Sequence, residues 1–295
     1  MTESSITIPL IGFGTFHLKG QDCIDSVKIA LECGYRLIDT ARVYRNEKEV
    51  GQGLQASGVN REEVFITSKV APTEQGEESA YKCVVSSLDN LGVSYIDLML
   101  IHWPGKSKTP VESEVNIEAR RASWKGLIRA KREGLVRNIG VSNFLIKHLQ
   151  DPCFSSGEGD HCCVPALNQF EFHPALARRE LVEFCTSKGI AVQAYSSLGQ
   201  GDARLLEHPL LLQVLEEVQG KVNPGATPQG ILLEWALRQG VGVIPRSKTR
   251  ENILANYSAM KTALVDGGVL SPEHMKLLQG VDSGLHFCWD SGKVT

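Results

Sequence analysis

The sequence predicts an α/β fold, a (β/α)8 TIM barrel formed as a single domain over residues 1–295. Short apolar runs alternate with segments of helical spacing from one end to the other. Eight such units fit a closed barrel better than an open sheet, and no Gly/Ser-rich linker divides them.

The strand candidates, in order, are Leu10 to Gly14, Leu37 to Asp39, Val64 to Val70, Ile96 to Ile101, Val136 to Val141, Ala166 to Gln169, Ala191 to Tyr195 and Val241 to Ile244. Each is a short apolar or β-branched run bounded by turn residues. Between them, helical spacing marks Cys23 to Glu32, Glu47 to Ala56, Ser79 to Leu91, Ile117 to Glu133, Arg178 to Lys188 and Thr227 to Gln239. Gly34, Gly134, Gly189 and Gly240 stand where a helix must stop and turn into the next strand. Two loops break the rhythm. Pro104 to Val115 leaves the C-terminal end of the fourth strand and is the better candidate for lining a pocket; Asp151 to Pro165 precedes the sixth.

Composition excludes several classes. Hydrophobic residues make up 42% and charged residues 22%, as in an ordinary globular chain. A net charge of -3 gives no electrostatic reason to expect nucleic acid as a partner. The basic stretch of Arg120, Arg121, Lys125, Arg129, Lys131 and Arg132 reads as a solvated helix face opposite Trp124, Leu127 and Ile128. No apolar run is long enough to span a bilayer. The opening Met-Thr-Glu-Ser-Ser lacks the order of a secretory leader, and the eight cysteines are scattered, so a reducing cytoplasm is expected. Cys153, His161, Cys162 and Cys163 invite a metal reading, but adjacent cysteines lack zinc-site spacing, and no metal is expected. With no repeat or coiled-coil signal, a monomer is expected.

In a barrel of this type, polar residues at the C-terminal ends of strands face the active site. Three strand ends are polar where the strand is apolar: Asp39, Lys69 and His102. A lysine in an apolar strand needs a partner, and Asp39 on the neighbouring strand supplies one. That pair reads either as a structural plug or as part of a catalytic site. Tyr44 lies close enough to Asp39 in sequence for a short loop to fold its phenol back toward Lys69, where an ammonium would favour the phenolate and make Tyr44 a better proton donor. Gly12-Phe-Gly14 lacks the third glycine of a dinucleotide fingerprint, and no P-loop, H-E-x-x-H or G-x-S-x-G motif occurs.

These residues resemble the aldo-keto reductase family over nearly the whole chain. The resemblance is carried by Gly34 to Glu47, Leu100 to Pro104, Gly140 to Phe144, Asn168 to Pro174, Ala194 to Gly199 and Ile244 to Ser247, in that order. It implies NADPH-dependent reduction of aldehydes and ketones by a tetrad of Asp39, Tyr44, Lys69 and His102. Tyr44 would give the proton, Lys69 would lower the phenol pKa and His102 would orient the carbonyl. It further implies that Ser142, Asn143 and Gln169 hold the carboxamide of NADPH/NADP+ and that Tyr195 stacks on the nicotinamide. Ser196, Leu198 and Gly199 would follow the pyrophosphate, and Arg246, Ser247 and Arg250 would meet the 2′-phosphate end, with Asn256 beside them. Taken singly, Gly199 also reads as a turn, Leu198 as packing, and Ser142 with Asn143 as a helix cap.

Phe16, Tyr44, His102 and Trp103 would line the substrate pocket, with Trp289 closing it, although core packing reads as well for Phe16 and Trp289. The chain departs from the family's pattern at Phe16, Asn252 and Ala255, in a shorter N-terminal region and in a longer Asp151 to Pro165 loop. Two other functions fit the same fold: a cofactor-binding protein with little turnover, and an NAD-linked alcohol dehydrogenase, the latter disfavoured by Arg246.

Overall fold

Side chains alternate between the two faces of a strand, so one inward residue fixes the parity of all that share its strand. The structure, a computed structural model, describes residues 7–155 and 162–295. Eight parallel strands lie in sequence order: β1 (Phe13–Gly14), β2 (Leu37–Asp39), β3 (Phe65–Val70), β4 (Ile96–Ile101), β5 (Val136–Ser142), β6 (Leu167–Glu171), β7 (Ala191–Tyr195) and β8 (Gly242–Val243). The circle closes through the shortest strands. Ile11 bridges Val243 in parallel, the Gly12 N–H donates to the Val243 carbonyl at 2.9 Å, and the Gly14 N–H donates to that of Pro245 at 3.1 Å. The absence of a Cβ at Gly12 leaves room for its neighbours, since a Cβ there would come within 2.4 Å of Leu37 Cδ2 and 2.8 Å of Ile244 Cγ2 and both side chains would have to shift.

The apolar residues divide by parity into two bodies. Leu37, Phe65, Leu98, Leu100, Leu167 and Ile244 fill the barrel axis. Ile38, Ile66, Val70, Met99 and Ile101 point outward into the larger core beneath the helices. Each such side chain, fully buried, contributes about 1.5–3 kcal/mol, which offsets the cost of the charges held at the barrel mouth.

The expected helices are present as α1 (Gly20–Cys33), α2 (Glu47–Ser57), α3 (Glu77–Leu91), α4 (Val115–Arg132), α6 (Arg179–Ser187) and α9 (Pro228–Leu237). The turning glycines Gly34, Gly134, Gly189 and Gly240 all have positive φ. Five helices go beyond the expectation: α5 (Ile146–Leu149), α7 (Ala203–Leu206), α8 (Pro209–Lys221), α10 (Arg250–Val265) and α11 (Pro272–Leu278). In α10 the buried stripe is only Ile253, Asn256, Met260 and Ala263, too thin and too mixed to stand out as an apolar period.

Two expectations need correction. The first strand is shorter than Leu10 to Gly14, because at this seam the pairing reduces to the bridge at Ile11 and the ladder at Phe13–Gly14. Arg120 does not belong to a solvated face. It is 3% exposed and its guanidinium donates to the carbonyls of Pro104 and Thr295. Arg121 and Arg129 of the same helix do pair at the surface, with Asp151 and with Glu78 and Glu133.

Candidate active site

The parity that places Leu37, Phe65 and Leu98 on the axis also turns Asp39, Lys69 and His102 inward at the mouth, each an even number of residues further on. Adjacent strands then bring them together: β2 pairs Asp39 with Thr67, and β3 pairs Lys69 with Leu100. The Lys69 Nζ donates to Asp39 Oδ1 at 2.6 Å and to the Thr40 carbonyl at 2.9 Å. The two charged side chains are 0% and 2% exposed.

Tyr44 ends a short 3-10 turn, Arg42–Tyr44, which folds back over the strand ends. Arg42 ties this turn to Glu47 at 3.6 Å and to Glu74 at 3.2 Å. The phenol oxygen stands 3.4 Å from Lys69 Nζ, and the ring packs on Phe16 at 4.9 Å and edge-on to His102 at 5.7 Å. Asp39, Tyr44, Lys69 and His102 therefore form one cluster.

The protonation states follow from burial. Burial, then the Asp39 carboxylate, holds the Tyr44 phenol well above its usual range. Here desolvation outweighs the lowering expected from Lys69. The ammonium is partly matched by Asp39 at contact distance, which weakens its pull toward the phenolate. Burial also pulls the Lys69 ammonium down while Asp39 opposes that shift. Burial and the Lys69 charge together hold His102 well below the usual imidazole range, so it stands neutral, with its Nδ1 buried and unpartnered among the described residues. At rest the site holds a protonated phenol beside a neutral imidazole.

Along the next three strand ends stand Ser142, Asn143, Gln169 and Tyr195. Asn143, in a left-handed conformation at φ 66°, donates from Nδ2 to the His102 carbonyl at 3.0 Å and to Ser142 Oγ at 3.1 Å. Its Oδ1 accepts from the Tyr195 hydroxyl at 2.6 Å. Neither Ser142 nor Asn143 caps α5, whose N-cap is Leu145. The Gln169 amide nitrogen donates to Asp39 Oδ2 at 2.7 Å, joining this row to the tetrad. Ser196, Leu198 and Gly199 follow β7, with Ser196 and Gly199 at positive φ; Ser196 Oγ lies 3.2 Å from Cys288 Sγ.

Arg246, Ser247 and Arg250 gather at the start of α10, and Asn256 lies on its buried face. Thr249 leaves the α10 N-terminus without a side-chain cap, and among the described residues neither arginine is engaged in an ion pair. Trp103 sits on the flank of the mouth, lining a cavity of about 230 Å³ with Pro72, Lys106 and Val294. Trp289 stands edge-on to Phe16 at 6.5 Å but is 67% exposed, so it rims the mouth rather than closing it.

Among the described residues no three His, Cys, Asp or Glu are placed to hold an ion; His161 lies outside them. Three polar residues near the site escaped the sequence reading. Asn46, buried, pins the Phe16 loop by donating to the carbonyls of Thr15 and Leu18. Glu171 clamps the C-terminal segment by accepting the backbone N–H groups of Phe287 and Cys288. Gln193 accepts from Gln169. For Glu171 and Gln193 the available signal was parity, since each is a polar residue in step with Gln169 or Tyr195.

Comparison with known proteins agrees with this geometry. Residues 10–269 match the family model described as the aldo/keto reductase family. The glyoxal reductase of Bacillus subtilis (strain 168) is 39% identical over 255 residues, covering 86% of this chain and 84% of its own. The glycerol 2-dehydrogenase (NADP(+)) of Saccharomyces cerevisiae is 38% identical over 266 residues, covering 84% and 82%. A solved aldo-keto reductase enzyme from a Medee basin deep-sea metagenome library superposes with a TM-score of 0.84 at 32% identity, covering 98% of this chain and 97% of that one. With a barrel of this topology, a mouth of this composition and a match across nearly its whole length, the chain belongs to the aldo/keto reductase family.

Proposed function

We propose that this chain reduces aldehydes and ketones to alcohols with NADPH, working as a single chain whose site residues all come from one barrel. The observation that carries the reading is the buried Asp39–Lys69 pair, 3.4 Å from a phenol that burial keeps protonated, beside a neutral imidazole. That is a proton donor poised next to a hydrogen-bonding group.

The residues present fit a nicotinamide dinucleotide. The uncapped α10 N-terminus with Arg246 and Arg250 suits a phosphate monoester, and a guanidinium binds such a group bidentately. Ser142, Asn143 and Gln169 offer polar atoms for a carboxamide, and the Tyr195 ring offers a stacking face. Ser196, Leu198 and Gly199 would follow the pyrophosphate. When bound, the reduced cofactor supplies the hydride. His102 orients the substrate carbonyl by a hydrogen bond, and Tyr44 passes its phenolic proton to the carbonyl oxygen as negative charge develops there. Lys69 then stabilises the phenolate, while Asp39 and Thr40 hold Lys69 in place.

Glyoxal, named for one relative, and the aromatic rim of Phe16, Tyr44 and Trp103 together point to small dicarbonyls and aromatic aldehydes as the substrates to try. The test is loss of reduced-nicotinamide absorbance with purified protein, NADPH or NADH, and a panel of aromatic aldehydes, quinones and dicarbonyls. NADPH-preferred turnover supports the proposal. Tight NADPH binding without turnover across the panel would replace it with a non-catalytic, cofactor-binding role.

A further inference from the structure

We propose that Gln193 is a positioning residue for the cofactor carboxamide, acting by fixing the plane in which the Gln169 amide stands. Gln193 on β7 lies in register with Gln169 on β6, and both are 1% exposed. The Gln169 Nε2 donates to Asp39 Oδ2 at 2.7 Å and to Gln193 Oε1 at 2.7 Å. An ionised carboxylate only accepts, so the Gln169 atom facing Asp39 is the nitrogen. Both hydrogens of that nitrogen are then committed, one to each acceptor.

Two bonds from one planar amide define its plane, whereas the Asp39 bond alone would let it pivot. The Gln169 carbonyl oxygen is thereby turned away from both acceptors and held as the group that receives an N–H from a ligand. Gln193 performs this at a cost to itself: its own Nε2 is buried and has no partner among the described residues. A buried amide nitrogen left unpaired is uncommon and calls for a reason.

This inference rests on the reading that Gln169 meets the carboxamide, and the experiment separates the two. Dissociation constants for NADPH are measured by quenching of protein fluorescence for the wild type, Gln193→Leu, Gln193→Met and Gln169→Leu. Adenosine 2′,5′-bisphosphate, which lacks the nicotinamide, is measured in parallel by competition, and each variant is melted. Loss of one hydrogen bond to a positioning group should weaken NADPH about tenfold in both Gln193 variants. The bisphosphate should stay within about twofold of wild type, because its contacts lie elsewhere. Melting should change little, because the unpaired Gln193 nitrogen is removed while one Gln169 N–H loses its acceptor.

Wild-type NADPH affinity in both Gln193 variants, with Gln169→Leu weakened, overturns the role of Gln193 and leaves that of Gln169 standing. Wild-type affinity in Gln169→Leu overturns both. Equal weakening of NADPH and the bisphosphate also overturns it, since a general loosening of the barrel then explains the effect.

Discussion

Replacing Lys69 by Met removes one partner of an ion pair whose side chains are 0% and 2% exposed and whose N–O distance is 2.6 Å. Breaking a buried pair on one side typically costs about 3–5 kcal/mol, because the remaining charge stays buried. Here Asp39 keeps the hydrogen bond from Gln169 at 2.7 Å, which places the expected loss at the low end, about 3 kcal/mol. For a chain of this length, that corresponds to a fall of roughly 5 °C in melting temperature. Combining Lys69→Met with Asp39→Asn removes the stranded charge, so the double variant should recover about half or more of the loss. Urea unfolding reports this through Trp124 and Trp235, which are 0% and 1% exposed and brighten or shift only when the core opens. A loss below about 1 kcal/mol in the single variant, or a double variant worse than the single, would refute the reasoning that the pair is an isolated buried charge couple.

Three further outcomes are expected. Tyr44→Phe keeps the ring packed on Phe16 and removes only the transferable proton; carbonyl reduction should fall about 10²- to 10⁴-fold with NADPH binding retained, as steady-state rates and fluorescence titration would reveal. Arg246→Ala should weaken NADPH roughly ten- to a hundredfold and NADH hardly at all, and equal weakening would place the 2′-phosphate elsewhere. His148 accepts from the Leu145 N–H on Nδ1 and meets the Val294 carbonyl through Nε2, and burial pulls its pKa down to about 4. Its folded pKa lies below the unfolded value near 6.5, so the neutral form is the one the fold favours. Its contribution is complete above pH 6.5 and is lost as pH falls from there toward about 4, in total on the order of 2–3 kcal/mol. Stability curves over that window should flatten in His148→Gln; an unchanged slope would assign the acid sensitivity to other groups.

Much of the barrel was legible in the sequence because its signals are local. The run Ile96–Ile101 is apolar on both faces, which marks a strand covered by helices outside and by other strands within. Glycines such as Gly34, at φ 118°, announce a helix end through a backbone conformation that other residues resist. The tetrad was legible for a related reason: Asp39, Lys69 and His102 interrupt apolar strands, and parity sends each to the axis. Helix α8 was missed because its buried stripe is short, only Leu211, Val214 and Val218, and α10 because its stripe is interrupted by the polar Asn256.

The sequence by itself determined the alternation of elements, the inward parity and hence which polar groups share the barrel mouth, since these follow from periodicity and from the cost of burying an unpaired charge. Tertiary structure alone decided the rest. That Arg120 turns inward to backbone carbonyls, that Glu171 grips the segment at Phe287 and that Gln193 backs Gln169 are contacts between residues distant in sequence or on separate strands. The protonation of Tyr44 belongs with them: its neighbour Lys69 was readable, but desolvation depends on how completely the surrounding chain excludes water, and that is a property of the assembled barrel.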